Sequence, residues 1–451
     1  MQPLFRLYEP DQQLLLQPSL RDWLPNDHLV YFVSDAIDQL DLEPIVAWYR
    51  DRPQGNLPYH PAMMLKVLVY CYCTGIFSSR RIAKAIEDSV PVRILAAAHE
   101  PDHRTICRFR ERHLDAFEDL FAQVVRVAAE AGLVTLGTLG IDGTKIRANA
   151  SKRKAMSYER MKEEEDRIGK EIKAIIAKAK GEDMAEDAKF GQDFRGDELP
   201  EELRRRESRL KTIVAAKERL ERRTKADAEA KRAEAKRRKD EDDDEGSPPR
   251  QRSETPEAKE QENFTDPDSR IMKEGSGAYQ QCYNAQIAVD AKAKIVVAAT
   301  VGQCPCDQSM LMPMVERSEQ VLGVRDDGCA RTTAKTVLAD AGYSCERNLL
   351  ALERRDGTTG YLAVGREGKD SKRPPEPGSA RARMAATLRT KRGRKRYKER
   401  KHLAEPPIGW LKAVMGFRQF SVRGLRKVTG EFSLVTMALN LRRMSKMMRI
   451  A

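Results

Sequence analysis

The chain has 451 residues, with 82 Lys and Arg against 69 Asp and Glu and a formal net charge of +13. That length is ample for a core without cross-links, and the excess of cations favours a polyanionic partner, nucleic acid before a membrane surface. No secretory leader pattern opens the chain, the most apolar run (Ala62 to Phe77) is broken by Lys66 and too short for a bilayer, and the eight cysteines lack paired zinc spacings, so a cytoplasmic, unanchored, disulfide-free protein is expected.

Residues 1 to about 120 read as helical. His28 to Leu40 carries apolar residues at helical spacing, and His60 to Thr74 is apolar enough to form the core of this region. Ser78 or Ser79 is a cap for Arg80 to Asp88, where Ile82 and Ile86 turn inward. Asp102 then caps a helix running to His113. Ile106 and Phe109 share its apolar face, and Arg104, Arg108, Arg110 and Arg112 are expected outward as DNA contacts. Successive short helices ending in an Arg-rich one suit a helix-turn-helix-like DNA reader, and a solvated basic face is the plainer alternative.

From Val134 small and apolar residues run into Leu139-Gly-Ile-Asp142-Gly-Thr-Lys145-Ile-Arg147, a short buried strand with an acid at its end. Burying a carboxylate is costly without a cation or a donor. Asp142 therefore either caps an Asp-Gly turn or holds a metal ion. Lys145 and Arg147, close behind, would keep a phosphate backbone near that carboxylate.

The composition changes between about residues 150 and 265, where charged residues and Ala dominate. Tyr158, Met161, Ile168, Ile172 and Ile175, and then Leu203, Leu210, Ile213 and Leu220, keep the spacing of two helices that could pair as a short coiled coil and aid dimerisation. Lys231 to Gln261 loses that stripe and is expected to be disordered. The block reads as an insertion.

Globular character returns at Tyr279. Cys282 to Asp290 and Lys294 to Val301 form a predicted hairpin, and Asp307 is the expected cap of a helix through Val321. Thr336 to Tyr343 is a second buried strand ending in an acid, Asp340. A helix from Cys345 to Leu352 and a strand at Gly360 to Val364 follow. The last helical region is predicted to begin near Glu405, with Pro406 in its first turn and Lys412 on nearly the same face. Glu431 reads as a helix-start acid and Glu399 as a surface partner of its basic neighbours.

Strand-Asp, hairpin, helix, strand-Asp, helix, strand, helix-Glu is the order of a ribonuclease-H-like α/β fold. Carboxylates converging at one end of its sheet suit two Mg²⁺ ions, with Mn²⁺ as a substitute, and phosphoryl transfer by positioning and charge neutralisation. Ile141-Asp-Gly-Thr-Lys145, Tyr283 to Asp290, Ala339-Asp-Ala-Gly-Tyr343, Glu405 to Lys412 and Gly416-Phe-Arg-Gln-Phe420 together resemble the DDE transposases of bacterial insertion sequences. Leu24-Pro-Asn-Asp-His28 and Arg104 to Arg110 resemble the InsH-like N-terminal domain found with them.

The resemblance implies a metal triad of Asp142, Asp340 and Glu405, and a signature of Tyr397, Arg400, Glu405 and Lys412. Arg400 stands one residue further from Glu405 than the usual signature has, so Lys401 is an alternative to it. Pro406-Pro407 replaces the commoner single Pro. Lys145, Arg400, Lys401 and Lys412 would contact phosphates. The expected layout is a helical DNA-binding domain over residues 1–125 and a catalytic domain over 126–451, interrupted by a charged helical insertion at 150–265. The expected activity is metal-dependent cleavage at inverted-repeat ends and strand transfer into target DNA by a homodimer or larger assembly. A nuclease of the same fold, or a DNA-binding protein without activity, are the other readings.

Overall fold

The N-terminal third is helical because its apolar residues recur every three or four positions and polar side chains cap the turns. A computed structural model describes residues 19–50, 57–190, 201–241, 254–275, 277–323, 333–365 and 375–448. It places α1 at Leu29–Asp38, α2 at Glu43–Arg50, α3 at Pro61–Cys73, α4 at Ser79–Asp88, α5 at Val90–Leu95, α6 at His103–Arg112 and α7 at Ala116–Glu130. His28 and His60 cap α1 and α3, each ring Nδ1 accepting from a backbone N–H at 3.2 Å, and Asp102 caps α6 through the Thr105 N–H at 2.7 Å. α3 is apolar all round and correspondingly buried along nearly its whole length.

Strand β1 (Thr138–Arg147) leads into the insertion, whose neck is a two-stranded antiparallel ribbon of β2 (Ala155–Ser157) and β3 (Gln261–Asn263). Between them run α8 (Tyr158–Phe190) and α9 (Glu201–Glu241). Met161, Ile168, Ile213 and Ala216 form a small core of their own. Ion pairs Glu165–Lys217, Glu164–Arg209 and Glu171–Arg206 show that the two helices pair antiparallel within one chain. The apolar stripe of the insertion is thus satisfied internally, without a second copy. The expected disorder from Lys231 is corrected in part: α9 continues to Glu241, its alternating charges supporting helix at i,i+4 spacing, while 242–253 lie outside the described residues.

The remaining elements are β4 (Arg270–Lys273), β5 (Tyr279–Asp290), β6 (Val296–Gly302), α10 (Leu311–Leu322), β7 (Thr336–Ala339), α11 (Glu346–Glu353), β8 (Thr359–Leu362), α12 (Ala380–Arg389), α13 (Lys391–Gly409) and α14 (Leu425–Met448). In the main sheet β4 and β6 both pair with β5, followed by β1, β7 and β8. β5 is antiparallel to β1, whereas β7 is parallel to β1 and β8 is parallel to β7. The result is a mixed α/β protein with a helical N-terminal region. Among the described residues no helix is long and apolar enough to cross a membrane.

Two sequence expectations change here. The late helix does not begin at Glu405: α13 starts at Lys391, capped by Thr390, and runs through Pro406 and Pro407. Glu431 does not start a helix either; it lies inside α14 and is fully buried. The N-terminal helices also share one apolar core with the sheet. α14 joins them: the Cys73 thiol meets the Ala438 carbonyl at 3.2 Å, and Arg442 donates to the Cys73 carbonyl at 2.8 Å. Gly430 allows the close crossing, since a Cβ there would stand 2.4 Å from the Leu114 carbonyl oxygen.

Candidate active site

Asp142 and Asp340 come together because β1 and β7 are parallel neighbours in register. Ile141 pairs with Ala339 as the last rung of the β1–β7 ladder, and each acid is the next residue. β1 itself runs on to Arg147 against β5, so Asp142 lies within its strand and not at its end as the sequence suggested. The backbone holds both carboxylates: Asp142 accepts from the Gly143 N–H at 2.8 Å, and Asp340 caps a short 3-10 turn by accepting from the Gly342 N–H at 2.8 Å. Asp142 does make the local Asp-Gly contact that the capping reading required, and it also faces other acids.

The third acid arrives on α13. Gly140 on β1 lets that helix lie directly on the strand, because a Cβ there would meet the Leu403 side chain at 2.7 Å. Arg400 and Glu405, on either side of Leu403, are thereby brought to Asp142. Arg400 lies 3.6 Å from Asp142 and 3.5 Å from Glu405, and so bridges the two. It is buried, its guanidinium carbon stands 5.9 Å from the Tyr397 ring, and its Nε has no hydrogen-bond partner among the described residues. Burial pushes the Asp142 carboxyl up to about 6; the Asp340 and Glu405 carboxylates add to this, and the Gly143 N–H and Arg400 oppose it. For Arg400, burial works against the charge, but Tyr397, Asp142 and Asp340 outweigh it and the net shift is upward.

Carboxylate oxygens are the donor type that a hard divalent ion takes, but here Arg400 stands between Asp142 and Glu405. Among the described residues no three His, Cys, Asp or Glu side chains stand close enough to hold one ion together. Glu405, with 55% of its side chain exposed, is turned to Arg400.

Beyond Gly409 the helix widens into a π turn, Trp410–Val414. Two consecutive prolines remove N–H donors from the ladder just before it, and such turns recur at functional sites. The turn changes the phase on which the expected Glu405–Lys412 face rested. Lys412 is half-buried and its ammonium donates to the Lys145 carbonyl of β1 at 2.8 Å. Arg147 pairs with Glu274 at 2.8 Å, and Lys401 is exposed on α13 with Lys391, Arg392, Arg394, Lys395 and Lys398.

Beneath β1 lies a group that the sequence reading placed elsewhere. Asp307 precedes α10, but its side chain makes no cap. Its Oδ1 instead accepts from Asn284 at 2.6 Å, Gln286 at 2.8 Å and Lys145 at 3.2 Å. The Tyr343 hydroxyl donates to the Gln286 side-chain oxygen. Asn284 and Gln286 alternate along β5, and that period-two pair of amides facing one way was the available signal. Asp290 lies at the other end of β5, where it accepts from the Thr135, Leu136 and Lys292 N–H groups.

On α6, Arg104 and Arg108 are exposed as expected. Arg112 is exposed too, with its guanidinium 3.6 Å from the Trp48 ring centre. Arg110 corrects the expectation. It is 5% exposed, donates to the Tyr72 hydroxyl at 3.1 Å and the Phe77 carbonyl at 2.9 Å, and lies 3.9 Å from Glu431. It shares the buried side of α6 with Ile106 and Phe109, and Glu431 supplies the charge that makes its burial tolerable.

A family model described as a transposase domain (DUF772) matches residues 18–112, and one described as a transposase DDE domain matches residues 366–445. No curated protein and no solved structure matches the chain.

Proposed function

We propose, from the premise that this chain is an insertion-sequence DDE transposase, that Asp142, Asp340 and Glu405 are its catalytic acids and that its fold is ribonuclease-H-like. The observation that carries the assignment is the β1–β7 register, which sets two acids side by side, together with the Arg400 bridge from Asp142 to Glu405 on α13. Antiparallel β6, β5 and β1 followed by parallel β7 and β8 supports the fold reading.

The three carboxylates would hold Mg²⁺ or Mn²⁺, two ions at full occupancy, which activates an attacking oxygen and neutralises charge on the phosphate. Glu405 joins the other acids by releasing Arg400, whose guanidinium is then free to bind a phosphate oxygen. Lys401 and the exposed cations of α13 line the approach for a DNA backbone. Arg104, Arg108 and Arg112 hold the element end, while Lys412 ties the π turn to β1. Water serves in end cleavage and a 3′-hydroxyl in joining, within a dimer or larger assembly on two ends in the bacterial cytoplasm.

Asp142→Asn, Asp340→Asn and Glu405→Gln should each lower metal-dependent cleavage at least about a hundredfold and leave end binding intact, since an amide keeps the shape but loses the charge. Nicking and gel-shift assays on duplexes carrying the element's flanking ends test this. Near-native cleavage by any of the three removes that residue from the triad.

A further inference from the structure

We propose that Asp307 is a positioning residue for the acid site, a platform that fixes the turns carrying Asp142 and Asp340; this rests on the triad reading above. Side chains alternate along a strand, so Gly143 opens onto the face opposite Asp142. A Cβ at Gly143 would stand 2.3 Å from the Gln286 amide nitrogen and 3.1 Å from Asp307 Oδ1. A Cβ at Gly342 would stand 3.3 Å from Asp307 Oδ2 and 3.0 Å from Asp340 Oδ1. Asp307 therefore lines the open side of the residue after the first acid and of the turn that the second acid caps, where an added side chain would crowd it.

The same carboxylate is heavily committed on its other side. Oδ1 receives the Asn284 and Gln286 amides and the Lys145 ammonium, and Gln286 in turn receives the buried Tyr343 hydroxyl of the Asp340 turn. Lys145 is held twice, its ammonium by Asp307 and its carbonyl by Lys412. A carboxylate with three donors on one oxygen is oriented, and losing a group that orients metal-binding residues typically costs about ten- to a hundredfold in metal affinity or activity.

The test uses the full chain, with Mn²⁺ binding followed by electron paramagnetic resonance beside end cleavage. Asp307→Asn should weaken Mn²⁺ binding about tenfold and slow cleavage about ten- to a hundredfold, with unchanged end affinity. Asp307→Asn/Lys145→Met restores the local charge balance. If Asp307 acts by position, the double variant stays as weak as Asp307→Asn; parent-like Mn²⁺ affinity in the double variant would mean a charge effect alone and overturns the proposal. Asn284→Ala removes one donor only and should cost about threefold, which carries the test if Asp307→Asn does not fold. Parent-like affinity in Asn284→Ala and Asp307→Asn, with loss in Asp142→Asn, overturns the positioning role and leaves the triad standing. A parent protein that binds no Mn²⁺ overturns both.

Discussion

Asp142 illustrates what a buried carboxylate costs beside other acids. Burial, with Asp340 and Glu405 alongside, lifts it from 3.8 to about 6. A carboxyl raised in the folded state contributes its stability below its ordinary range and loses it as pH climbs through the folded value. Between about pH 4 and pH 6 the metal-free protein should therefore lose up to about 3 kcal/mol at this group. Asp142→Asn carries no such charge, so it should match the parent near pH 4 and exceed it at pH 8 when metal is chelated. Denaturant unfolding at the two pH values checks this, and equal parent and variant stability at pH 8 would refute it. The same acid was legible in the sequence because it ends a short apolar run beside glycine. Asp340 was legible for the same reason. Asp307 was not: its local setting, ahead of an amphipathic helix, looks like a cap, and its actual partners, the β5 amides and Lys145 of β1, lie far from it in sequence. Arg110 was misjudged because an arginine buried against a glutamate more than 300 residues away leaves no local trace.

At the scale of elements, α13 decides whether the third acid reaches the first two. Its seat on β1 depends on the missing side chain at Gly140, over which Leu403 lies. Gly140→Ala should cost about 1–3 kcal/mol and reduce cleavage, because the helix must lift or Leu403 must leave its rotamer. Adding Leu403→Ala should recover part of the cleavage even if stability stays low. Thermal unfolding and nicking rates of the single and double variants check the pair, and an unaffected Gly140→Ala would show that the helix has room. Helix periodicity disclosed α1, α3, α4 and α6 but not α2, α5 or α7, and strand patterns disclosed β1, β5, β6, β7 and β8. The start of α13 was hidden by its basic composition, which reads as a solvated segment, and by two prolines that look like a beginning although they lie inside the helix.

For the whole molecule, the insertion is a side branch on a narrow neck. It meets the rest of the chain through β2–β3 and through Arg219 and Arg223, which pair with the buried Glu262. Replacing residues 159–257 with a short flexible linker, which keeps both neck strands, should leave folded protein with measurable nicking, since closing a surface loop costs little. Circular dichroism and an end-nicking assay check this; loss of folded protein would place the hairpin in the core. The sequence showed the insertion through its abrupt change in composition. It did not show that the N-terminal helices and the sheet share a core, because the Tyr72, Cys73 and Arg110 contacts all close on α14 across the length of the chain.

That buried link bears on how such a chain could be altered or exchanged in parts. Arg110 reaches Glu431, Glu431 holds Ser421, and the adjoining Phe420 N–H donates to the Arg147 carbonyl at the end of β1. Helix α6 and strand β1 are joined by consecutive polar contacts. A chimera spliced near residue 125 would separate Arg110 from its counter-ion and bury an orphan charge on each side of the seam. On the proposed reading, a new end specificity is more readily grafted at the exposed Arg104, Arg108 and Arg112 alone than by exchanging the whole helical region.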